Sequence, residues 1–97
     1  MRYQLTPRAY ADLISIGHYT QQKWGKTQRD DYINALVNRF DWLAQQPGIG
    51  KSRSEVAPGY FSFVHAEHVI FYIKQPANIA IIGVVHRRAD PESHFSL

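Results

Sequence analysis

The chain has 97 residues, which is enough for one domain with one modest hydrophobic core. It has no cysteine, so disulfides and thiolate metal sites are excluded, and no apolar run approaches the length of a membrane span. The net charge of +3 and the pI of about 9.4 permit contact with nucleic acid or with an acidic protein and require neither. We expect a single cytoplasmic domain over residues 1–97, with no leader, metal or cofactor.

The first part of the sequence predicts an edge strand and a helix. The stretch RYQL alternates as a short strand does. Thr6 and Pro7 are residue types favoured at a helix N-cap and first turn, and Gly25 is a natural end for that helix. The apolar side of the helix is predicted to comprise Tyr10, Leu13, Ile14, Gly17 and Trp24, with Ile16 beside it.

A second helix is predicted directly after the first. TQRD resembles a capping box with Asp30 at its last position, and QQPGIG ends the helix. The apolar residues of this helix recur every three or four positions: Ile33, Leu36, Val37, Phe40, Leu43 and Ala44. The short connection between the two helices predicts an antiparallel hairpin.

The remainder predicts a loop over residues 49–59 and then three strands, Tyr60–Val64, His68–Lys74 and Asn78–His86. VIFYI and IAIIGVV are nearly continuous apolar runs, typical of central strands with one face on the helices. The last residues, ADPESHFSL, are predicted to be a loop or a frayed tail. The predicted order of elements is therefore β-α-α-β-β-β.

The pair His65 and His68 has the spacing of two metal ligands. The two residues flank a predicted tight turn, and no third ligand is evident nearby, whereas zinc sites use three or four protein ligands. We therefore favour a turn over a metal site.

A phosphodiester-cleaving site is the sharpest chemical interpretation of the C-terminal part. Such a site needs a general base, a general acid and a cation. His86 or Glu55 has the chemistry of the base, Arg87 or Arg53 that of the cation, and His94 that of the acid. The alternative, which we favour, is that His86 packs at the sheet margin and His94 is exposed.

Two further sets of side chains each have a functional and a structural interpretation. The basic residues either line a groove for RNA or protein or are simply solvated: Lys51, Arg53, Arg87 and Arg88. Four aromatic residues off the main apolar stripes are either half-buried surface or anchors for a partner lying across the helices: Tyr3, Tyr19, Tyr32 and Trp42.

Several stretches together resemble the ParE toxins of bacterial type II toxin–antitoxin systems, within the wider ParE/RelE superfamily. They are YQLTPRAYADLISIGHYTQQKWG, YINALVNRFDWLAQQPGIGKSRSEVAPGY, HVIFY and VVHRRADPESHF, and they cover essentially the whole chain. The resemblance implies an α+β fold, in which an N-terminal strand and an antiparallel helical hairpin pack with a small, mostly antiparallel sheet.

The resemblance also implies a role. ParE-like toxins are held inactive by a cognate antitoxin, usually of the ParD type, whose C-terminal segment folds around the toxin. The freed toxin inhibits DNA gyrase by trapping it on cleaved DNA, and the gyrase subunit that cleaves DNA is the expected contact. The RelE branch has the same fold and cuts mRNA on the ribosome.

Three residues favour the ParE role over the RelE role. The tail has His94 followed by Phe95, where RNA cleavage typically relies on a tyrosine near the C-terminus, and Phe95 cannot transfer a proton. Phe61 and Ile73 stand where arginine is common in ParE-like chains. A sheet with so little charge suits a protein partner better than RNA.

We therefore predict a binding inhibitor of gyrase with no sequence-specific contact to nucleic acid and no membrane association, which forms a hetero-oligomer with its antitoxin. The predicted gyrase-binding residues are Arg87, Arg88 and Trp24, together with the C-terminal tail. The predicted antitoxin-binding residues are Leu5, Phe61, Phe63, Phe71 and Ile73. The ribonuclease alternative would use Arg53, Glu55, Arg87 and His94. A third alternative is a relic that binds antitoxin without being toxic.

Overall fold

The computed structural model of the protein describes residues 3–95. Its helices and strands are β1 (Tyr3–Leu5), α1 (Pro7–Trp24), α2 (Lys26–Gln45), a 3₁₀ turn (Pro47–Ile49), β2 (Lys51–Ser52), β3 (Tyr60–His65), β4 (His68–Lys74), β5 (Ile79–His86) and α3 (Pro91–Phe95). The five strands form one sheet in the order β1-β5-β4-β3-β2. β1 is parallel to β5, and every other neighbouring pair is antiparallel. The predicted α+β fold with a mostly antiparallel sheet is confirmed.

The structure differs from the predicted elements in two places. The predicted loop over residues 49–59 contains the short edge strand β2. The predicted frayed tail forms α3 as far as Phe95, and Ser96 and Leu97 lie outside the described residues, as does Arg2 of the predicted first strand. None of the described helices is long and apolar enough to cross a membrane.

One glycine separates the two helices of the hairpin. Thr6 caps α1 as predicted, since its Oγ1 accepts a hydrogen bond from the Ala9 N–H at 3.1 Å. Gly25, at a φ of 91°, closes α1 by donating to the Gln21 carbonyl. Its own carbonyl accepts from the Arg29 N–H, so α2 begins directly at Lys26. The predicted TQRD capping box is therefore wrong, because the helix has already started when that segment begins.

The predicted apolar side of α1 is wrong at three of its positions, while Leu13, Ile16 and Gly17 are buried or partly buried as predicted. Tyr10 is 60% exposed and Trp24 is 68% exposed, and Ile14 is exposed as well. Apart from Ile16, the buried residues of α1 are small or polar: Ala9, Asp12, Gly17 and Thr20. Small side chains let a helix approach a sheet closely, and the two polar residues find partners there, as Thr20 does by donating to the Ile16 carbonyl at 2.7 Å.

The predicted periodicity of α2 is confirmed. Leu36, Phe40 and Leu43 are completely buried, and the remaining predicted apolar residues pack partly buried around them. They meet one face of the sheet, whose core residues are Ile70, Tyr72, Ile79, Ile81 and Val84. Each such side chain contributes roughly 1.5–3 kcal/mol when fully removed from water, so this layer is the main source of stability.

Tyr72 ties the segment after α2 to the sheet. Its ring is completely buried, and its hydroxyl donates to the Pro47 carbonyl at 2.8 Å while accepting from the Gly50 N–H at 3.0 Å. Burial raises the pKa of this hydroxyl, so it stays protonated at neutral pH. A Cβ at Gly50 would overlap the end of the Tyr72 ring, whereas a Cβ at Gly48 would meet nothing.

We expect Gly50→Ala to lower the free energy of unfolding by about 1–3 kcal/mol, since a fully buried ring has no room to give way. Gly48→Ala is the matched control in the same turn and should cost far less. Urea denaturation followed by circular dichroism measures both. Equal stability of the two variants would show that Tyr72 does not fix this turn.

Candidate functional site

A groove lies along the edge of β5, beyond the point where β1 ends. β1 ends at Leu5, opposite Ile81, while β5 continues to His86. Two adjoining cavities of about 470 and 380 Å³ border this free edge, and both are lined by Tyr19, His68 and His86. We call them together the α1–β5 groove. Asp12 and His94 lie at one end of it, and Lys23, Trp24, Tyr32 and Glu67 lie at the other.

At the first end, a buried carboxylate accepts a hydrogen bond from a backbone N–H on the free edge of β5. Asp12 Oδ2 accepts the Val84 N–H at 2.9 Å, and both carboxylate oxygens lie 3.0 Å from His94 Nε2. The favoured expectation that His94 is exposed and His86 is packed is therefore wrong. His94 is partly buried and paired with Asp12, whereas His86 is exposed.

The neighbouring residue Phe95 anchors α3 on the other face of the sheet. Its ring packs against Phe71 with centroids 5.3 Å apart and against Tyr60 at 5.6 Å. Gly83 makes room for it, because a Cβ there would overlap the Phe95 ring. Successive residues of α3 thus bind to α1 through His94 and to the sheet through Phe95.

In the middle of the groove, Tyr32 holds His68. The Tyr32 hydroxyl lies 2.7 Å from His68 Nδ1. Burial lowers the pKa of His68 to about 4, with a smaller contribution from the nearby His86, so the ring is neutral at pH 7. We assign the hydroxyl proton to Nδ1 because that contact is much shorter than the 3.5 Å to the His65 carbonyl, which leaves Nε2–H as a donor in the groove.

His65 and His68 flank the turn between β3 and β4, as predicted, and the Tyr32 ring contacts both imidazoles. Among residues 3–95, no group of three or more histidine, cysteine, aspartate or glutamate side chains is arranged to hold a metal ion.

The second end of the groove presents aromatic and basic side chains. Trp24 and Tyr19 are both more than half exposed. Arg87 directly follows His86, and its Nε lies 3.2 Å from Glu67 Oε1, so it is held at this end. The structure therefore brings Trp24 and Arg87, which are distant in sequence, to one end of one groove, and Arg88 follows Arg87.

Of the four aromatic residues off the main stripes, Tyr19 is the one suited to serve as an anchor. Tyr3 packs on Phe40, Trp42 packs on Phe63, and Tyr32 bonds His68. Tyr19 remains 58% exposed. Sequence reasoning missed Asp12 and Lys23 altogether, although a carboxylate in line with Ala9 and Ile16 on a helix face is a signal that it has a buried partner.

A model of the family described as the ParE toxin of type II toxin–antitoxin systems, parDE, matches residues 3–91. Toxin ParE1 of Caulobacter vibrioides is 34% identical over 93 residues, covering 96% of each chain, and Toxin ParE1 of Mycobacterium tuberculosis is 34% identical over 95 residues, covering 97% of each. The chain belongs to the ParE toxin family. A solved structure titled as the chromosomal ParDE system of P. aeruginosa has the same fold, with a TM-score of 0.77 at 19% identity over 89% of this chain and 95% of the other. As a toxin of a type II system, the protein has a cognate antitoxin as partner.

The four residues of the ribonuclease alternative do not converge in this ParE toxin. Arg53 bonds Glu55 at 2.7 Å and Ser62 at 3.1 Å, and its guanidinium lies over the Phe71 ring. The bond from Arg53 lowers the pKa of Glu55, which makes Glu55 a weaker base.

The other two members are engaged elsewhere. His94 is paired with Asp12 and Arg87 with Glu67. Ser62, which binds Arg53, pairs with Phe71 of β4, whereas His86, which precedes Arg87, pairs with His68 of the same strand. Phe71 and His68 are three residues apart, so the two pairings are separated by roughly 10 Å along β4. Each cation of the set therefore already has its own carboxylate.

The five predicted antitoxin-binding residues do not form one surface. Phe61 and Phe63 face the helices, where they stack on Tyr72 and Trp42, and Leu5 packs against the same core. Phe71 lies on the opposite face, completely buried beneath Phe95 and Arg53. Ile73 follows Tyr72 along β4 and therefore lies on the opposite face of the sheet from it, where it is partly exposed. Phe71 can meet a partner only if α3 moves away.

We expect Asp12→Ala to lower the free energy of unfolding by about 1–3 kcal/mol, because it leaves the buried Val84 N–H without an acceptor. Asp31→Ala, at an exposed position of α2, is the control and should change it little. Thermal and urea unfolding give the comparison, and an equal effect at the two positions would mean that water replaces the carboxylate.

The lowered pKa of His68 predicts a pH dependence of stability. In the unfolded chain His68 is protonated below about pH 6.5, whereas in the folded protein it is protonated only below about pH 4. The free energy of unfolding is therefore at its full value above pH 6.5 and falls as the pH drops from 6.5 towards 4. Because the ring is only half buried, we expect a loss on the order of 1–2 kcal/mol, less than the full shift would give. The pKa of His65 is lowered as well and adds a loss of the same sign.

Urea unfolding of wild type and of His68→Gln between pH 7.5 and 4 isolates the His68 contribution, which should be absent from the variant. His18→Gln, at an exposed position of α1, is the control and should keep the wild-type slope. Parallel curves for wild type and His68→Gln would mean that the folded protein protonates this ring readily.

Proposed function

We propose that this ParE toxin inhibits DNA gyrase by binding, with no covalent chemistry of its own, and that a ParD-like antitoxin neutralises it in the cytoplasm by forming a hetero-oligomer. The observation that carries this proposal is the contrast between two sets of residues. Of the residues suited to docking, Trp24 lies in one end of the groove, Arg87 pairs with Glu67 at that end, and Arg88 follows Arg87. Of the residues suited to cleavage, Arg53 and Glu55 pair with each other and line neither cavity of the groove, and His94 lies at the opposite end of the groove, paired with Asp12.

The charge at the groove supports an acidic partner. Arg87 is compensated by Glu67, but within residues 3–95 the Arg88 guanidinium makes no ion pair, and the side chain is exposed. Gyrase with its bound DNA is strongly acidic, so an exposed arginine that forms no such ion pair would speed association and add to affinity.

The antitoxin contact is proposed for the face of the sheet that the helices leave free. Ile73 is partly exposed there and Val64 is 61% exposed, while Phe71 lies beneath α3. A disordered antitoxin segment would bury this apolar surface as it folds, which offsets the entropy it loses. Leu5, Phe61 and Phe63 would then contribute from beneath the surface, by holding the strands in place.

We expect the double variant Arg87→Ala/Arg88→Ala to inhibit gyrase supercoiling roughly tenfold more weakly, since two exposed charged contacts at an interface together are worth about 1.4 kcal/mol. Arg8→Ala/Lys51→Ala removes the same charge from exposed positions away from the groove and should keep wild-type potency. The assay titrates purified toxin against gyrase on relaxed plasmid.

A second variant tests the ribonuclease alternative. His94→Gln keeps a hydrogen-bond donor for Asp12 but cannot transfer a proton, so toxicity and gyrase inhibition should persist. In vitro translation with primer extension should show intact mRNA for wild type and variant alike. Codon-specific cuts that disappear in His94→Gln, together with normal supercoiling, would establish cleavage and refute the proposed binding mechanism.

A further inference from the structure

The accessible surface of the α1–β5 groove consists of aromatic rings and polar groups. Its apolar floor is closed, with Ile16 only 8% exposed, Val84 3% and Val85 2%. What remains open is Tyr19 at 58%, Trp24 at 68% and the exposed ring of His86. A helix docked here would find almost no aliphatic surface to bury, whereas flat π systems would find rings to stack on.

The charged side chains along the groove are mostly engaged with partners inside the protein. Asp12 is hydrogen-bonded to His94, and Glu67 forms an ion pair with Arg87. Lys23, which lines the groove, and Arg88, just beyond it, form no ion pair with any residue from 3 to 95. An unpaired cation, that of Lys23, therefore lies at the end that carries the exposed tryptophan.

An extended peptide is not favoured as occupant. A strand added to the free edge of β5 would need the Val84 N–H, which is already donated to Asp12. The Thr6 hydroxyl likewise donates a hydrogen bond to the Ile82 carbonyl at 3.3 Å. The edge that would recognise a peptide backbone is thus engaged within the protein.

We propose that the α1–β5 groove binds a short stretch of single-stranded DNA without sequence preference. Tyr19 and Trp24 stack on bases, Lys23 and Arg88 contact phosphates, and the Nε2–H of His68, fixed by Tyr32, donates to an acceptor on the strand. The proposed action on gyrase, which would be trapped on cleaved DNA, would bring the groove close to DNA. To that extent this inference rests on the proposed function.

Binding is measured without gyrase, by the fluorescence anisotropy of a labelled ten-nucleotide oligo(dT) at low salt. We expect Tyr19→Ala and Trp24→Ala each to weaken binding about tenfold or more, the usual effect of losing one stacking residue. Tyr10→Ala is the matched control, since this tyrosine is 60% exposed on the same helix but lines a different cavity. Lys23→Ala should reduce the slope of log affinity against log salt by about 0.7, the value for one phosphate contact.

Circular dichroism of each variant keeps misfolding separate from loss of binding. Equal binding by wild type, Tyr19→Ala and Trp24→Ala would overturn the proposal, as would tighter binding of an oligo(U) of the same length. If the two variants weaken gyrase inhibition while oligo(dT) binding is unchanged, the groove contacts protein and the DNA assignment is wrong. If oligo(dT) binds through the groove but gyrase is not inhibited, the DNA site stands and the gyrase proposal fails.

Discussion

The carboxylate of Asp12 connects three elements, α1, β5 and α3. It sits on the face of α1 that packs against the sheet, it accepts the Val84 N–H of β5, and it pairs with His94 of α3. Burying a carboxylate is unfavourable unless hydrogen bonds replace its water, and these two partners do so. β1 is too short to cover the whole edge of β5. Because Asp12 accepts the Val84 N–H, that donor is not free to pair with a strand of another chain.

This contact makes the C-terminal segment part of the folded domain. His94 and Phe95 fix α3 from two sides, and the link before it is fixed by main-chain bonds: the Arg87 N–H donates to the Glu67 carbonyl and the Ala89 N–H to the His86 carbonyl. The Arg88 N–H also donates to His86 Nδ1 at 3.1 Å. The two arginines therefore lie on a braced turn rather than on a mobile tail, and a braced turn loses less entropy when a partner binds.

The sequence predicts most of this fold, and it fails where partners are distant. Thr6 with Pro7, the periodicity of α2 and the apolar strands are local signals, and each appears in the structure almost as predicted. The buried face of α1 is not a local signal, because a carboxylate becomes a core-facing residue only through a histidine 82 positions away. Likewise, the five-residue α3 has too few residues to be stable alone and exists through Phe95 and His94.

The residues of the candidate site can be singled out in the sequence, but their arrangement cannot. Charge and aromatic character single out Trp24, Arg87 and Arg88. That Trp24 shares one groove with His68 and His86, which directly precedes the two arginines, depends on β5 pairing with β4 and on α1 packing against β5. The spacing of His68 suggests only a metal ligand, because its bond to Tyr32, 36 residues away, leaves no trace in the sequence pattern.

Several large side chains of α1 face outward although the sequence pattern predicts them to be buried. An ordinary amphipathic helix buries its large apolar side chains and leaves little for a partner to hold. Here Ala9, Asp12 and Thr20 occupy the sheet-facing side, so Tyr10 and Ile14 line a cavity between the two helices, and Tyr19 and Trp24 border the groove at β5. Disagreement between local pattern and final packing is expected where function constrains a sequence. The large side chains that α1 turns outward therefore fall into two separate groups, one between the two helices and one at the groove along β5.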